Sequence, residues 1–432
     1  MNRPGKPSLL CRILDAPFLT WVLLGFLISY LLFFLGPIFL NAPAMRFPIY
    51  IPAGKTIGED LNSMLGFSKL WFIAHQTPYL GNLGINAYPP LASVLFTPLL
   101  FVNFSLAYMI VTLVNVLCYI LITLIIPLQT GKGRHASALI MLIFVTGLFS
   151  YGFQFELERG QFNVIAMTFC ILAIWIFHFH NNYRYLTYVL FVISVQLKVY
   201  PIIFILMLIK DWHDWRNNIR RVSILFMVNF ALFFVLGAGV FFDFIKSITY
   251  LIGNPYIWRG DNSIRSFVTW GLDIASQHGW AWLNPYSDWM QLALLVIIGI
   301  CIFLIMLKAY RQNQKGINSY LLFACALGAL MIPSASHDYK LAILAAPIAI
   351  LFSDLIFISK TAFRPPQQLI QIGLVIVLSV AYSSTLVSYT NKPLFVQNNF
   401  PALFIMLLAV VYVSIISSRL HQEKQPDPSE LL

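Results

Sequence analysis

An all-α polytopic membrane protein is the fold class that this sequence predicts, on three observations. Of its 432 residues, 59% are hydrophobic and only 10% charged, whereas a soluble domain carries roughly 25% charged residues. Several runs of about 20 apolar residues are long enough to cross a hydrocarbon layer of roughly 30 Å as helices. The apolar-polar alternation of barrel strands is absent, and helices are the remaining way to satisfy a backbone in lipid.

The spans follow in order. Arg3, Lys6 and Arg12 precede an apolar run near 18–40. A signal-peptide core is only roughly 7–15 residues, so this run reads as an uncleaved first span, although Ala42-Pro43-Ala44 imitates a cleavage site. Further spans are expected near 91–127 (a short interfacial piece, then a full crossing), 137–152, 162–179, 185–197, 201–210, 220–243, 290–309, 319–333, 340–358, 367–388 and 400–418. The result is a bundle of about 11–12 crossings in one domain over 1–420, with a polar tail at 421–432. The step at 185–210 is read as a broken pair turning at Lys198-Val199-Tyr200-Pro201. A single crossing would export the basic Lys210–Arg221 segment against the positive-inside rule. Pro201 also interrupts the backbone ladder, which membrane depth tolerates only where the break lines protein or a wet cavity.

With both termini cytoplasmic, most of the 27 Lys and Arg residues fall on short inner connections. Topology thus explains the net charge of +11, and no basic stretch is interleaved with exposed aromatics as nucleic-acid binding requires. The five cysteines lie in or beside apolar segments without CxxC spacing, which argues against a disulfide framework and a zinc site. Two outer connections, 41–90 and 244–289, are long and mixed in composition. Loops beyond about 15 residues are usually functional or disordered, and the aromatic residues here, Trp71, Tyr79, Tyr88, Trp258, Trp270 and Trp280 among them, favour order at the interface.

Five polar clusters fall on the outer face of this topology. Glu59 and Asp60 open an amphipathic stretch in the first long loop, and Tyr88-Pro89-Pro90 closes that loop. A carboxylate there suits a general base, or is a solvated loop acid. Glu156 to Asn163 holds Arg159, Gln161 and Asn163 at a span boundary. These groups either organise a polar ligand or satisfy one another, with Arg159 on Glu156 or Glu158. Lys198 sits at the helix break, as an anion contact or a cation snorkelling to the interface. Asp261 to Arg265 and Ser334 to Lys340, the latter including His337, put cations beside small polar donors. That combination suits a phosphate, although exposed pairs are also common in solvated loops. One acid with several cations forms a coherent set for moving a sugar from a lipid phosphate to a hydroxyl. Such a transfer needs a base for the incoming group and cations for the departing phosphate, but no general acid.

The succession GEDLN, YPPL, RGQFN, LKVYP with a basic turn after it, GDNSIRS and SASHDYK, from about residue 55 to 350, resembles glycosyltransferase family 87. These are polyprenol-phosphate-mannose-dependent mannosyltransferases of the GT-C class. The resemblance implies an inverting enzyme in a bacterial inner or plasma membrane, part of the machinery of the cell envelope. It would move a hexose, with mannose as the leading candidate, from a polyprenyl-phosphate sugar to a lipid or glycan hydroxyl on the extracytoplasmic face. It further implies Asp60 as the base, and a donor pocket organised by Arg159, Gln161 and Asn163. Lys198, Arg265, His337 and Lys340 would hold the phosphate, while Tyr88 and Trp258 shape a lipid or acceptor groove. Glu59 beside Asp60 leaves the identity of the base open, and Asp338 beside His337 is placed to neutralise it. No cofactor and no metal are expected, because one adjacent acid pair supplies too few oxygen ligands. A transporter or lipid flippase is the competing reading from another class. The absence of an internal repeat and the clustering of polar residues on one face count against it.

Overall fold

The computed structural model describes residues 24, 57–79, 86–130, 134–254, 260–313, 316–359, 373–377 and 398–422. Among them the regular structure is helical and no strand occurs, which bears out the all-α membrane class. The expected first span near 18–40, most of the span near 367–388, and Trp258 lie outside the described residues.

The helices that position the site are α1 (Glu59–Phe72), α2 (Pro90–Phe96), α3 (Phe104–Ile120), α4 (Arg134–Leu148), α5 (Tyr151–Arg159), α6 (Asn163–Phe179) and α7 (Arg184–Leu197). They are followed by α8 (Trp215–Leu232), α9 (Ala238–Gly253), α10 (Ile264–Gln277), α11 (Ser287–Gln312), α12 (Ser319–Met331), α13 (Ala345–Ser359) and α14 (Phe400–Gln422). Local chemistry explains several starts. Pro90 stands in the first turn of α2, where its missing N–H costs nothing. Asn103, Ser150, Asp214, Ser263 and Asn318 each accept a hydrogen bond from a backbone N–H in the first turn of the helix they open.

Among the described residues, two continuous helices are long and apolar enough to cross a membrane, Phe104–Thr130 and Ala281–Gln312. A third span arises if Ser137–Leu148 and Tyr151–Arg159, bent by 48°, count as one. The other apolar helices are shorter, at 10–17 residues. Two segments expected as single elements are broken. The span near 220–243 ends with α8 and restarts as α9 after Gly237, whose φ of 101° favours glycine. The connection 244–289 is itself largely helical, built from α9 and α10.

Hydrogen bonds fix the path of the chain around Lys198. Ser194 Oγ donates to Ala166 O at 2.7 Å, joining the end of α7 to the start of α6, so these two run antiparallel. Gln196 Nε2 donates to Asn229 O at 3.0 Å, and Arg221 Nε donates to Tyr188 OH at 3.1 Å. Both pairs have the same sequence offset, so α7 and α8 run parallel. The chain must therefore travel back along the bundle between them. It does so as a 3-10 helix, Tyr200–Met207, instead of the expected α-helical crossing near 201–210. At one end Tyr200 OH donates to Asn163 O at 2.8 Å, and at the other His178 Nε2 meets Met207 O at 2.9 Å. The break at Lys198 and the return pass are as expected, and the basic 210–221 segment lies at the end of the bundle away from Lys198.

This 3-10 helix is enclosed by its neighbours. Phe204 is fully buried, and α12 packs so tightly against it that a Cβ on Gly328 would meet Ile203 Cδ1 at 2.7 Å. Every residue of α12 is buried. Its Ala324, Ala326, Gly328 and Ala329 let neighbouring backbones approach, which drives helix association in lipid where no hydrophobic gain is available.

Candidate active site at one end of the bundle

Asp60 is the second residue of α1, and its helix is held in place by a turn more than ninety residues away in sequence. Helix α5 ends in a Schellman motif: Gly160, at φ 64°, donates to Leu157 O at 3.0 Å, and Gln161 N donates to Glu156 O at 2.9 Å. Asn115 of α3 donates to Gln161 O at 2.7 Å, and Tyr108 OH to Leu157 O at 2.9 Å, so the turn is clamped from α3. Gly58 N in turn donates to Glu158 O at 2.8 Å, which docks the start of α1 on that turn.

This docking brings together residues from three of the predicted clusters. Arg159 forks over both acids: Nη2 meets Asp60 Oδ1 at 2.5 Å and Nη1 bonds Glu59. Glu59 is mostly exposed, whereas the Asp60 side chain keeps 17% of its surface and faces inward. Gln161 Nε2 donates to Asp60 Oδ2 and, at 3.3 Å, to Tyr88 OH. Lys198 Nζ donates to Gln161 Oε1 at 2.7 Å and stands 4.3 Å from the ring centroids of Tyr88 and Phe162. Such cation–π contacts strengthen when desolvated, and Lys198 is buried. Burial pushes the Lys198 ammonium below the usual lysine range, with the charge of Glu156 opposing. Burial, and then the charge of Asp60, push the Tyr88 phenol up, so it stays protonated.

The reading in which Arg159 satisfies Glu156 or Glu158 is replaced by its pairing with Glu59 and Asp60. Glu156 is fully buried and instead accepts from Asn163 Nδ2 at 2.7 Å and from Val164 N at 3.0 Å. Asn163 therefore braces Glu156, while its carbonyl receives Tyr200.

The fourth and fifth clusters close the other wall. Residues 260–262 pair with 336–338 through Asn262 N to Ser336 O at 2.7 Å and Asp338 N to Gly260 O at 2.8 Å. Asp261, fully buried, accepts from Ser263 N at 3.0 Å and Ser336 N at 2.9 Å through Oδ1. Its Oδ2 is buried with no hydrogen-bond partner among the described residues and acts on His337 and Lys340 through its charge. His337 is half-buried and lies within electrostatic range of Asp60 and Arg159. Burial lowers it despite the opposing charge of Asp261, which keeps the ring neutral near neutrality. The acid that faces His337 is thus Asp261 and not the adjacent Asp338, which accepts from Asn262 and Asn399, each at 3.1 Å. Burial raises Asp338 to about 7. Lys340 Nζ donates to Ala335 O at 2.6 Å and stays within range of Lys198 and Asp261. Arg265, half-buried in the first turn of α10, makes no hydrogen bond or ion pair with a described residue.

A model of glycosyltransferase family 87 matches residues 86–334. The chain belongs to that family. The matched stretch contains Tyr88, Arg159, Gln161, Asn163, Lys198 and Arg265, whereas Asp60, His337 and Lys340 flank it. No curated protein matches the chain. Membership makes the protein a membrane-embedded glycosyltransferase. Two residues of the family 87 chain that sequence reasoning named without assigning them a role now stand in the site, Asp261 and the brace Tyr79, whose OH donates to Tyr88 O at 2.7 Å. Asp261 did carry a signal, because Asp-Asn-Ser ahead of an apolar helix reads as an Asx turn leading into a cap.

Proposed function

We propose that this family 87 transferase moves a hexose, mannose by the resemblance, from a polyprenyl-phosphate sugar to a hydroxyl of a membrane lipid or glycan, with inversion and without a metal or cofactor. The reaction is read as taking place on the extracytoplasmic face of a multi-pass protein. One observation carries the reading: a partly exposed carboxylate, Asp60, faces a buried lysine, Lys198, across a single amide, Gln161.

The chemistry follows from that arrangement. An ionised carboxylate offers about four lone-pair positions, and Arg159 and Gln161 occupy only two of those on Asp60. The acceptor hydroxyl donates to a remaining one, and its proton passes to Asp60 as its oxygen attacks the anomeric carbon. The bond from that carbon to the phosphate oxygen breaks on the opposite side, and its electron pair stays on the phosphate. Lys198, with Lys340 as a second cation and His337 as a neutral N–H donor, stabilises the charge that develops there. Arg265 is a further cation proposed for the phosphate. Asn163 holds Glu156 beside Lys198, and Tyr88 forms the wall on which the lysine lies. Arg159 orients the base and occupies Glu59, so the two acids are not left free as joint oxygen ligands for a cation.

The test is transfer by purified protein given polyprenyl-phosphate mannose and candidate acceptor lipids. Asp60→Asn loses turnover by roughly 10²–10⁴-fold while donor binding persists, Glu59→Gln retains turnover, and EDTA changes nothing. Full activity in Asp60→Asn rejects that residue as the base.

A further inference from the structure

A groove lies along α7 and α8, lined by none of the residues of the Asp60 network. The two parallel helices leave between them a cavity of about 890 Å³, within the roughly 300–1,000 Å³ of small-molecule sites. Its walls are apolar along most of their length: Val189, Val192 and Ile193 from α7, and Ile224, Val228 and Leu232 from α8. Leu91 of α2 closes the end nearer the site. The other end, beside the bond between Arg221 and Leu208, is polar and carries both signs of charge. Arg184 and Arg220 are exposed there and make no hydrogen bond or ion pair with a described residue. Asp211 and Asp214 line the same mouth together with Lys210 and Arg221. Asp214 is spent on capping α8 through Asn217, while among the described residues the Asp211 carboxylate accepts only from His213 N, through Oδ1.

We infer that this groove holds one glycerophospholipid of the leaflet opposite the transfer site, with an amine-bearing phosphate headgroup. The phosphate sits on Arg184 and Arg220, the ammonium on Asp211, and an acyl chain runs between α7 and α8 toward Leu91. Depth supports a lipid of one leaflet. From Arg184 to Ile193 the wall rises about 14 Å, and from Arg220 to Leu232 about 18 Å, close to half of a hydrocarbon layer of roughly 30 Å. A polyprenyl phosphate bound at Lys198 has its charge at the wrong end for this groove. A purely anionic headgroup leaves Asp211 facing like charge, whereas a primary ammonium satisfies it. The bound chain braces the two helices whose upper contact, Gln196 to Asn229, lies beside Lys198.

The experiment is native mass spectrometry of the full chain released from nanodiscs of phosphatidylcholine doped equally with ethanolamine and glycerol phospholipids. One ethanolamine lipid is retained per chain. Retention falls roughly tenfold or more in Arg184→Gln/Arg220→Gln and is also lost in Val228→Trp, which fills the groove. In Asp211→Asn the preference shifts from the ethanolamine to the glycerol headgroup. Thermal unfolding of each variant in detergent, before lipid is added, shows that it is folded. Equal retention in the double arginine variant and in Val228→Trp overturns the site. Preference of the unmodified protein for the glycerol headgroup, or displacement of the ethanolamine lipid by polyprenyl phosphate, overturns the assigned occupant. None of these readouts depends on sugar transfer, so the inference fails or stands independently of the proposed reaction.

Discussion

Substituting Gly160 by alanine tests whether the turn after α5 sets the position of the base. Gly160 has φ of +64°, and a Cβ built there meets Leu61 Cβ at 2.8 Å and Gly58 Cα at 3.3 Å. Ordinary contact begins at 3.4 Å, so α1 must retreat by the difference, 0.6 Å, unless the turn itself opens. Either response acts on the same bonds, because Leu61 follows Asp60 and Gly160 separates Arg159 from Gln161. The left-handed conformation costs about 1–2 kcal/mol for a residue with a Cβ, and overpacking about 1–3 kcal/mol more. The expected destabilisation is therefore about 2–5 kcal/mol. A displacement approaching 1 Å at a reacting group lowers turnover by about 10²-fold. Thermal unfolding in detergent and turnover with saturating donor are the assays. Turnover must fall although every catalytic side chain is present, and donor affinity must change less than turnover. An alanine variant with unchanged stability and turnover refutes the docking of α1 on this turn as the device that places Asp60.

Three further outcomes are expected. Lys198→Met leaves Glu156 buried without the cation whose charge acts on it and costs about 3–5 kcal/mol; adding Glu156→Gln recovers thermal stability but not sugar transfer, and a double variant as unstable as the single one contradicts the coupling. Tyr79→Phe removes the bond to Tyr88 O, costs about 1 kcal/mol, and weakens donor binding more than it slows turnover, read as KM against kcat. Asp338 has a folded pKa of about 7 against an ordinary 3.8. Its contribution to stability is therefore complete below 3.8 and is lost as pH rises through 7, by on the order of 4 kcal/mol in all. Asp338→Asn keeps the Oδ1 that accepts from Asn262 and Asn399, so its melting temperature should overtake that of the unmodified protein between pH 5 and 8; parallel curves would place the carboxyl in water.

Much of the fold was legible because hydropathy, proline and capping residues act locally. The apolar runs marked the helices, and Pro201 and the basic turn after it marked the broken pair. The 3-10 form of the return pass was not legible, since Tyr200–Met207 is apolar enough for any helix and only enclosure by α6, α7 and α12 makes the tighter winding tolerable. The break at Gly237 was equally hidden, because its φ is a property of the folded chain.

By itself the sequence determined that the chain lives in a membrane as helices and that its acids and cations gather at a few helix ends, since both follow from short-range composition. Only the tertiary structure decided which charges meet. Arg159 reaches Asp60 across 99 positions, Lys198 reaches Gln161 across 37, and Asp261, not Asp338, confronts His337. An ion pair is a distance between segments that the fold brings together, and no pattern within either segment encodes that distance.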